Sequence, residues 1–303
     1  MSRAFHAEMP IALITGLHGF TGRYLAAELR TSGYSILGIG QEEGQSDEQS
    51  FRCDLNDGEA VRRVLKDISP DVVVHLAAIA FAAHDDAEEI YRTNIVGTRN
   101  LLQALTQCPR PPRCVLLASS ANIYGNASVS PIDEHCAPAP TNDYAVSKLA
   151  MEKMARLWND KLPITIVRPF NYTGVGQSPQ FLLPKIVDHF KRRAAVIELG
   201  NLHVIRDFSD VRMVVRCYRM LIEAARSGET LNICSGIGHS LLEVISNMRN
   251  LSGHDLDVVV NPVFVRGNEV HELVGSRARL EAAIGKIDLI PLEETLQWML
   301  SAT

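Results

Sequence analysis

The sequence predicts an α/β protein built on a doubly wound parallel sheet, with a smaller and non-contiguous domain contributed by its C-terminal part. Three observations lead to this prediction. Short β-branched runs alternate with amphipathic stretches through the first half of the 303-residue chain. The strand candidates are continuously apolar, as in Asp71–Leu76 with its three consecutive valines, and such strands are typical of sheets covered on both faces. After Pro169, prolines and glycines become frequent and strands are harder to place.

The first half divides into alternating strands and helices, with a further short strand expected just before Asp54. The predicted strands are Ile11–Ile14, Ser35–Ile39, Asp71–Leu76, Cys114–Ala118 and Ile164–Val167. The predicted helices are Gly22–Thr31, Glu59–Ile68, Tyr91–Cys108 and Asp143–Lys161. In the second half, helices are predicted at Leu182–Arg193, Val211–Ser227 and Leu241–Leu251, and Leu231–Cys234 is predicted to return to the main sheet as a strand.

Composition excludes several classes of protein. With 30 basic and 35 acidic side chains the net charge is −5, which argues against a general nucleic-acid binder. A hydrophobic fraction of 46% with 21% charged residues excludes global disorder. No apolar stretch is long enough to span a bilayer, so no membrane association is expected. The six cysteines form no C-x-x-C pair; we expect free thiols, a cytoplasmic location and no metal site.

A glycine-rich turn predicts a dinucleotide site. Gly16, Gly19 and Gly22 are spaced as G-x-x-G-x-x-G between the first strand and the first helix. Glycines there permit a tight turn, a close approach of the backbone to a pyrophosphate and close packing of helix on strand. The N-terminus of the helix then offers N–H groups and a positive dipole end to the phosphates. The alternative is a merely tight turn.

The end of the second strand bears on the choice of cofactor. An acidic residue there would accept from the ribose 2′-hydroxyl of NAD and repel a 2′-phosphate, but the position is Gly40. The sequence therefore favours NADP(H), with NAD(H) as the alternative, and His18 and Arg23 are the nearest basic candidates. Asp54 follows the short third strand and is either an acceptor for the adenine amino group or a helix N-cap.

A tyrosine, a lysine and a serine form a candidate catalytic group. Tyr144 and Lys148 are one turn apart on one face of a predicted helix. A free tyrosine has a pKa near ~10, and we expect the lysine charge to lower it toward neutrality. Ser120 lies just past the strand that ends at Ala118, where its hydroxyl is expected to bind a substrate carbonyl or hydroxyl.

Together these segments resemble the extended short-chain dehydrogenase/reductases, a family with a Rossmann fold that modifies nucleotide sugars. The segments are Thr15–Gly22, His75–Ala78, Asn94, Ser119–Gly125, Tyr144–Lys148 and Arg168–Asn171. The resemblance implies that Ser120, Tyr144 and Lys148 are catalytic and that Asn94 is a helix residue that shapes the site. It also implies a set of cofactor contacts: Gly16, His18, Gly19, Phe20, Gly22, Asp54, Leu55, Leu76, Ala77, Ala78, Tyr144, Lys148, Pro169 and Phe170.

Within that family, the C-terminal half is similar to the GDP-mannose branch, in particular to the GDP-6-deoxy-4-keto-mannose reductases that make GDP-rhamnose. The similarity is carried by Leu199–Val211, Arg266–His271, Asn171–Gln177 and Cys234–Gly238. It implies a GDP-sugar substrate whose nucleotide diphosphate is held by Asn171, Lys185, Arg206, Arg266 and Glu269. Asn201 is a further candidate, for contacts with the base. Guanidinium groups suit a diphosphate because they donate paired hydrogen bonds to anionic oxygens.

Three functional alternatives remain at this stage. Dehydration is disfavoured because Asn122 stands two residues after Ser120, where the dehydratases of the family carry a carboxylate. The leading interpretation is NADPH-dependent reduction of the 4-keto group of GDP-4-keto-6-deoxy-D-mannose. The alternatives are a nucleotide-sugar 4-epimerase that acts on UDP- or GDP-sugars and keeps NAD bound, and a non-catalytic dinucleotide-binding protein.

The resemblance also implies the organisation of the chain. Residues 1–170 are expected to form the dinucleotide-binding domain, with 204–234 returning to it, and residues 171–203 and 235–303 the nucleotide-sugar domain. The long helical stretches Glu88–Gln107 and Asp143–Asn159 carry more apolar positions than one buried face requires. Related enzymes pair these helices across a two-fold axis, so a homodimer through a four-helix bundle is expected.

Overall fold

The structure is a computed structural model that describes residues 9–40, 49–79, 86–265 and 270–302. Its main element is a seven-stranded parallel sheet flanked by helices, with strand order β10-β6-β5-β4-β1-β2-β3. These strands are β1 Ile11–Thr15, β2 Ser35–Gly40, β3 Gln49–Arg52, β4 Val72–His75, β5 Cys114–Ala118, β6 Ile164–Pro169 and β10 Thr230–Ile233. The predicted fold class is confirmed, and the strand predicted at Leu231–Cys234 does join the main sheet.

Smaller sheets lie in the second half of the chain. Strand β9 pairs with β11, β13 and β7, and β8 pairs in parallel with β12. Their bounds are β7 Asn171–Thr173, β8 Val196–Leu199, β9 Ile205–Asp210, β11 Gly238–Ser240, β12 Asp257–Val260 and β13 Glu272–Leu273. These strands are only two to six residues long, which explains why hydrophobic periodicity alone did not place them.

Ten α-helices are assigned among the described residues. They are α1 Phe20–Thr31, α2 Gly58–Ile68, α3 Ala87–Tyr91, α4 Thr98–Leu105, α5 Asp143–Arg156, α6 Leu182–Lys191, α7 Val211–Ala224, α8 Leu241–Ser252, α9 Ala278–Ile284 and α10 Leu292–Ser301. None of the described helices is both long and apolar enough to cross a membrane.

The single helix predicted over Tyr91–Cys108 is wrong in detail. Between α3 and α4 the chain forms a π-helical segment, Arg92–Gly97, whose wider turn brings Asn94 into a buried position. Single-turn π-segments within α-helices are rare, and the apolar pattern on either side of this one predicts one continuous α-helix. Such segments recur at functional sites, and this one contains the residue that the family resemblance singled out.

The chain divides into two compact units. The first comprises the described residues of Met1–Ala118, Ala150–Ile166 and Tyr218–Glu229; the second comprises those of Ser119–Leu149, Val167–Cys217 and Thr230–Thr303. The first unit contains a core between sheet and helices that includes Leu13, Leu65, Val73, Leu101 and Val115, each fully buried.

Two separate hydrophobic cores are found among the described residues of the second unit. The larger lies among α6, α8, α10 and the strands β8 and β9. The smaller surrounds the short 3-10 helical turn Ala121–Tyr124 and includes Phe170 and Cys234. The turn that follows Ser120 is thus part of a packed core rather than of a surface loop.

Candidate active site

The three glycines of the first turn meet the steric demands that their spacing predicts. Gly16 has φ +73°, and a Cβ on it would lie 3.0 Å from the Ala77 amide nitrogen. A Cβ on Gly22 would lie 2.2 Å from the Gly16 carbonyl oxygen. Gly19 is the N-cap of α1, and its amide donates to the same carbonyl at 3.1 Å. Side chains at these positions would push the helix away from the strand and fill the space that a pyrophosphate needs.

The end of β2 is open and lies beside a basic residue that the sequence did not suggest. A Cβ on Gly40 would have no atom of the described residues within 4 Å. Across the parallel ladder, Gly40 pairs with Arg52 and Gly38 pairs with Ser50. His18 extends from the glycine turn to Ser50, with 3.2 Å between its Nε2 and the serine Oγ. Arg52 on β3 and His18 are therefore the cationic candidates at the strand end.

A buried hydrogen-bond chain fixes the backbone after β4, where the resemblance predicts the cofactor contacts Leu76, Ala77 and Ala78. The Thr98 hydroxyl donates to the Asn94 carbonyl at 2.7 Å, so His75 Nε2, 2.8 Å away, must donate to Thr98. His75 Nδ1 then accepts from the Thr15 hydroxyl at 2.7 Å, and Thr15 Oγ1 accepts from the Ala77 amide at 3.1 Å. His75 thus links β1 to the segment after β4 through Thr15.

Asn94 acts on the same segment. Its side-chain oxygen accepts from the Ile79 amide at 3.0 Å, and its side-chain nitrogen donates to the Ile79 carbonyl at 3.3 Å. Asn94 is 1% exposed, so these bonds replace water that the amide would otherwise bind. The residue shapes the main chain beside the predicted cofactor contacts.

The helix-cap alternative for Asp54 is wrong. The N-cap of α2 is Asp57, whose side chain accepts from the amides of Glu59 and Ala60. Asp54 instead accepts from the Asn56 amide at 2.9 Å in a turn after β3, with Leu55 buried beside it. Its contact with adenine stays a prediction.

Ser120 is held by the turn that it begins. It caps the 3-10 turn Ala121–Tyr124, and its Oγ accepts from the Asn122 amide at 3.1 Å. The Ser120 side chain also lies close enough to the Tyr144 phenol to lower its pKa, so two of the three predicted catalytic residues are near each other. Ser120 is 7% and Tyr144 8% exposed, which keeps this pair largely away from bulk water.

Tyr144 and Lys148 lie on α5, which begins where Asn142 accepts from the Ala145 amide at 2.9 Å. Lys148 is 5% exposed, and its Nζ is 6.0 Å from the centroid of the Tyr144 ring. The expectation that the tyrosine pKa is lowered is wrong for this structure. The pKa of Tyr144 is raised to about 12. Burial is the main cause, while the Ser120 side chain lowers the pKa and the nearby Tyr172 phenol raises it.

The predicted substrate residues that the structure describes are distributed over the second unit. Arg206 on β9 donates to the carbonyls of Val270 and His271, and Lys185 on α6 donates to the Glu198 carbonyl at 2.8 Å. Lys185 Nζ also lies 4.4 Å from the centroid of the Phe264 ring. Each cation therefore also braces the backbone of a strand or loop.

The remaining predicted substrate and cofactor residues have the following positions. Asn201 follows β8 and accepts from the His203 amide at 3.0 Å, and Asn171 begins β7 and is exposed. Pro169 ends β6, whereas Phe170 is 3% exposed and packs against Tyr124, with 6.2 Å between ring centroids. Arg266 and Glu269 lie outside the described residues, as do Gln41–Glu43 after the second strand.

The residues of the first unit fit a nicotinamide dinucleotide. Gly16 and Gly22 have no space for a side chain. Without side chains, the main chain of this turn can approach a pyrophosphate closely. The open position at Gly40 and the fixed amides after β4 lie on the same strand ends where such cofactors bind in doubly wound sheets.

A comparison with known protein families identifies the family of this chain. The family model of the NAD dependent epimerase/dehydratase family matches residues 12–234. The chain belongs to this family. The match begins at β1 and ends just after β10, so it includes the glycine turn, Ser120 and the Tyr144–Lys148 pair.

Two relatives in the epimerase/dehydratase family are similar over nearly their whole length. A GDP-6-deoxy-D-talose 4-dehydrogenase from Aggregatibacter actinomycetemcomitans is 34% identical over 276 residues, 90% of each chain. A GDP-6-deoxy-D-mannose reductase from Pseudomonas aeruginosa is 31% identical over 301 residues, 95% of each chain.

Solved structures of the family agree with the fold. A proposed epimerase from Burkholderia cenocepacia J2315 is 52% identical, with a TM-score of 0.91, and the alignment covers 96% of this chain and 97% of the other. The protein RMD from Pseudomonas aeruginosa, solved with NADPH, is 30% identical, with a TM-score of 0.85 and coverage of 96% and 98%.

Sequence reasoning missed the residues that act by supporting others. His75 belongs to the His75–Ala78 segment of the family resemblance, but its hydrogen bonds depend on Thr15 and Thr98, which are 60 and 23 residues away. Arg52 was missed because its position beside Gly40 depends on the register of β2 and β3. Arg52 becomes a candidate only when the pairing of β2 with β3 is known.

Proposed function

We propose that the chain reduces the 4-keto group of GDP-4-keto-6-deoxy-D-mannose with NADPH to give GDP-D-rhamnose. The observation that carries the proposal is the buried Ser120–Tyr144 pair with Lys148 one turn further along α5. A phenol that is protonated and shielded from water is the group that carbonyl reduction requires, since the reaction must deliver a proton to the developing alkoxide. The bound cofactor supplies the hydride.

Each residue of the pair has a distinct task in this proposal. The phenol of Tyr144 donates its proton to the sugar O4 as C4 gains hydride. The hydroxyl of Ser120 donates to the same oxygen and so orients the carbonyl, and the two donors together replace an oxyanion hole. Because the Asn122 amide already donates to Ser120 Oγ, the serine proton is left to point at another acceptor.

Lys148 completes the group. Its ammonium is almost fully buried next to the Tyr144 ring, where it favours any negative charge left on the phenolate after proton transfer. We also assign it a hydrogen bond to the cofactor ribose, in line with the family resemblance. In this scheme Tyr144 is the acid and Lys148 stabilises its conjugate base.

The preference for NADP is proposed from the end of β2. Gly40 carries no carboxylate that would repel a 2′-phosphate, and Arg52 stands opposite it in the ladder. The similar protein RMD was solved with NADPH. We assign the GDP-sugar to the second unit, with Asn171, Lys185, Asn201, Arg206, Arg266 and Glu269 as its contacts, and we expect the enzyme to act as a homodimer.

A second product is favoured by a specific observation. The GDP-6-deoxy-D-talose 4-dehydrogenase matches this chain at 34% identity, slightly above the reductase at 31%. Its sugar, 6-deoxy-talose, differs from 6-deoxy-mannose only in the configuration at C4. The same ketone reduced from its opposite face would therefore give GDP-6-deoxy-talose with the same catalytic residues.

The experiment is to incubate the protein with GDP-4-keto-6-deoxy-D-mannose and NADPH and to identify the product by NMR. The coupling between H3 and H4 is large for rhamnose, where both protons are axial, and small for talose. Formation of GDP-D-rhamnose supports the proposal. Formation of GDP-6-deoxy-talose supports reduction of the 4-keto group but contradicts the proposed product. Failure to reduce this sugar, together with interconversion of UDP-glucose and UDP-galactose, would replace the proposal with the epimerase.

A matched pair of variants tests the catalytic assignment. Tyr144→Phe removes the proton donor and is expected to lower kcat by roughly 10²–10⁴-fold, the usual contribution of general acid–base catalysis. Tyr34→Phe is the control, since Tyr34 is also a buried tyrosine but lies in the first unit, hydrogen-bonded to Arg113. Near-normal turnover by a folded Tyr144→Phe protein contradicts the assignment.

A further inference from the structure

Ser120 depends on a short turn for its position. The serine follows β5 by two residues and caps the 3-10 turn Ala121–Tyr124, which is a single turn with few bonds of its own. The Ile123 amide donates to the Ser120 carbonyl at 3.4 Å, and the Gly125 amide donates to the Asn122 carbonyl at 3.2 Å. The first bond is longer than usual and the second is at the upper end of the usual range, so contacts outside the turn contribute to its stability.

Tyr124, the last residue of the turn, makes such contacts. Its hydroxyl accepts from Arg168 Nη1 at 2.8 Å and donates to Asn232 Oδ1 at 2.7 Å. The guanidinium carbon of Arg168 also lies 5.1 Å from the centroid of the Tyr124 ring. Tyr124 and Asn232 are fully buried, and Arg168 is 4% exposed. Without water as a substitute partner, loss of one of these bonds leaves a buried polar group unsatisfied.

The acceptor of the Tyr124 hydroxyl is itself fixed in orientation. Asn232 lies on β10, and its side-chain nitrogen donates to the Ile132 carbonyl at 3.0 Å, which turns its side-chain oxygen toward Tyr124. The backbone amide of Asn232 donates to Glu134 Oε1 at 2.7 Å. The tyrosine is thus tied to a strand of the main sheet and to the segment that contains Ile132 and Glu134.

The far end of the turn is clamped by packing. Gly125 has φ +56°, and a Cβ on it would lie 1.9 Å from the Ala139 carbonyl oxygen. The Ala139 amide donates to the Ile123 carbonyl at 2.8 Å. The turn therefore has close backbone contacts at its far end, and the Tyr124 hydroxyl adds side-chain hydrogen bonds to Arg168 and Asn232.

We propose that Tyr124 and Arg168 are positioning residues that act through Ser120: they hold the 3-10 turn so that the serine hydroxyl meets the Tyr144 phenol. Neither is assigned a contact with substrate. The proposal rests on the proposed function, because it presumes that Ser120 has a role in the reaction.

The test is a double-mutant cycle on ketone reduction. Tyr124→Phe keeps the ring and removes only the hydroxyl, and we expect kcat to fall by about ten- to a hundredfold, since a misplaced catalytic group costs about that much. The KM for NADPH is expected to stay unchanged. If Tyr124 acts through Ser120, the Ser120→Ala/Tyr124→Phe protein will be no slower than Ser120→Ala alone.

The controls separate positioning from general stability. Tyr34→Phe removes a partly buried tyrosine–arginine hydrogen bond from the first unit and is expected to keep normal kcat. Arg168→Lys provides a second variant for the same cycle if Tyr124→Phe does not fold. Multiplicative losses in the double variant, or equal losses in Tyr124→Phe and Tyr34→Phe, overturn the proposal. If Ser120→Ala alone has normal kcat, the proposed function of the serine fails instead.

Discussion

The open end of β2 gives the sharpest test of cofactor choice. Gly40→Asp introduces a carboxylate at a position where a Cβ meets no described atom within 4 Å. Gly40 is not among the glycines with positive φ, so an aspartate there adopts ordinary extended backbone. The Gly40 carbonyl keeps its bond from the Cys53 amide at 2.8 Å, since the substitution does not touch the main chain. The change is therefore expected to alter binding without altering the fold.

Two effects of known size add up. A carboxylate that accepts from the ribose 2′-hydroxyl of NADH contributes about 1.5–3 kcal/mol, as hydrogen bonds to charged groups do. A 2′-phosphate carries a charge of about −1.5 to −2. At about 5 Å in a water-like dielectric, its repulsion from the carboxylate costs roughly 1–2 kcal/mol. The sum, about 2.5–5 kcal/mol, corresponds to a change in the NADPH/NADH preference of roughly sixtyfold to several thousandfold.

Titration calorimetry of both cofactors against the purified protein measures this ratio directly. Gly40→Asn is the matched control, because it has the same shape but no charge and should shift the preference far less. Arg52 stands opposite Gly40, and salt screens both its charge and the repulsion between carboxylate and phosphate, so the titration is run at two ionic strengths. An unchanged ratio in Gly40→Asp, or a native protein that already prefers NADH, refutes the reasoning.

Four further predictions follow from the described contacts. Gly22→Ala places a Cβ 2.2 Å from the Gly16 carbonyl oxygen, so the Kd for the cofactor should rise at least tenfold, whereas Gly40→Ala should leave it unchanged in the same titration. The pKa of Tyr144 is raised from 10.0 to about 12. The protonated phenol therefore contributes fully to stability below pH 10, and this contribution is lost as the pH rises toward 12. The free energy of unfolding by urea should depend less on pH between 10 and 12 for Tyr144→Phe than for the native protein. Light scattering at micromolar concentration should give the mass of a dimer, and a monomer would contradict the four-helix bundle. Calorimetry should show tighter binding of GDP than of UDP or dTDP, and equal affinities would remove the GDP assignment.

Local features of the fold could be predicted because they depend on neighbours in the chain. The strand–turn–helix around Gly16 follows from an apolar run, three spaced glycines and an amphipathic stretch, all within about twenty residues. The placement of Ser120 at the end of β5 and of Tyr144 and Lys148 on one helix face is of the same kind. The structure confirms these elements, with helix and strand ends that differ by a few residues.

Features that depend on distant pairs could not be predicted in this way. The register that sets Arg52 beside Gly40 is fixed by side-chain packing of β2 against β3, and the intervening residues do not specify it. The bond from Arg168 to Tyr124 joins residues 44 positions apart. The direction of the Tyr144 pKa was wrong for a related reason, because the sequence displays the neighbouring lysine but not the burial that outweighs it.

The raised pKa of Tyr144 bears on the direction of the reaction. A tyrosine whose pKa lies far above neutrality rests as the phenol, which is ready to donate a proton to a ketone but must first be deprotonated to oxidise an alcohol. Oxidation at C4 would therefore require a group that removes the phenolic proton, and Lys148, as a buried ammonium, helps only by stabilising the phenolate that results. The relative named for a dehydrogenation is 34% identical to this chain and the one named for a reduction is 31% identical, so sequence identity does not choose between the two directions. Reduction and oxidation pass through the same transition state, so the equilibrium between the sugars determines the net direction of the reaction. The protonated Tyr144 is the form of the enzyme that is ready to reduce a ketone.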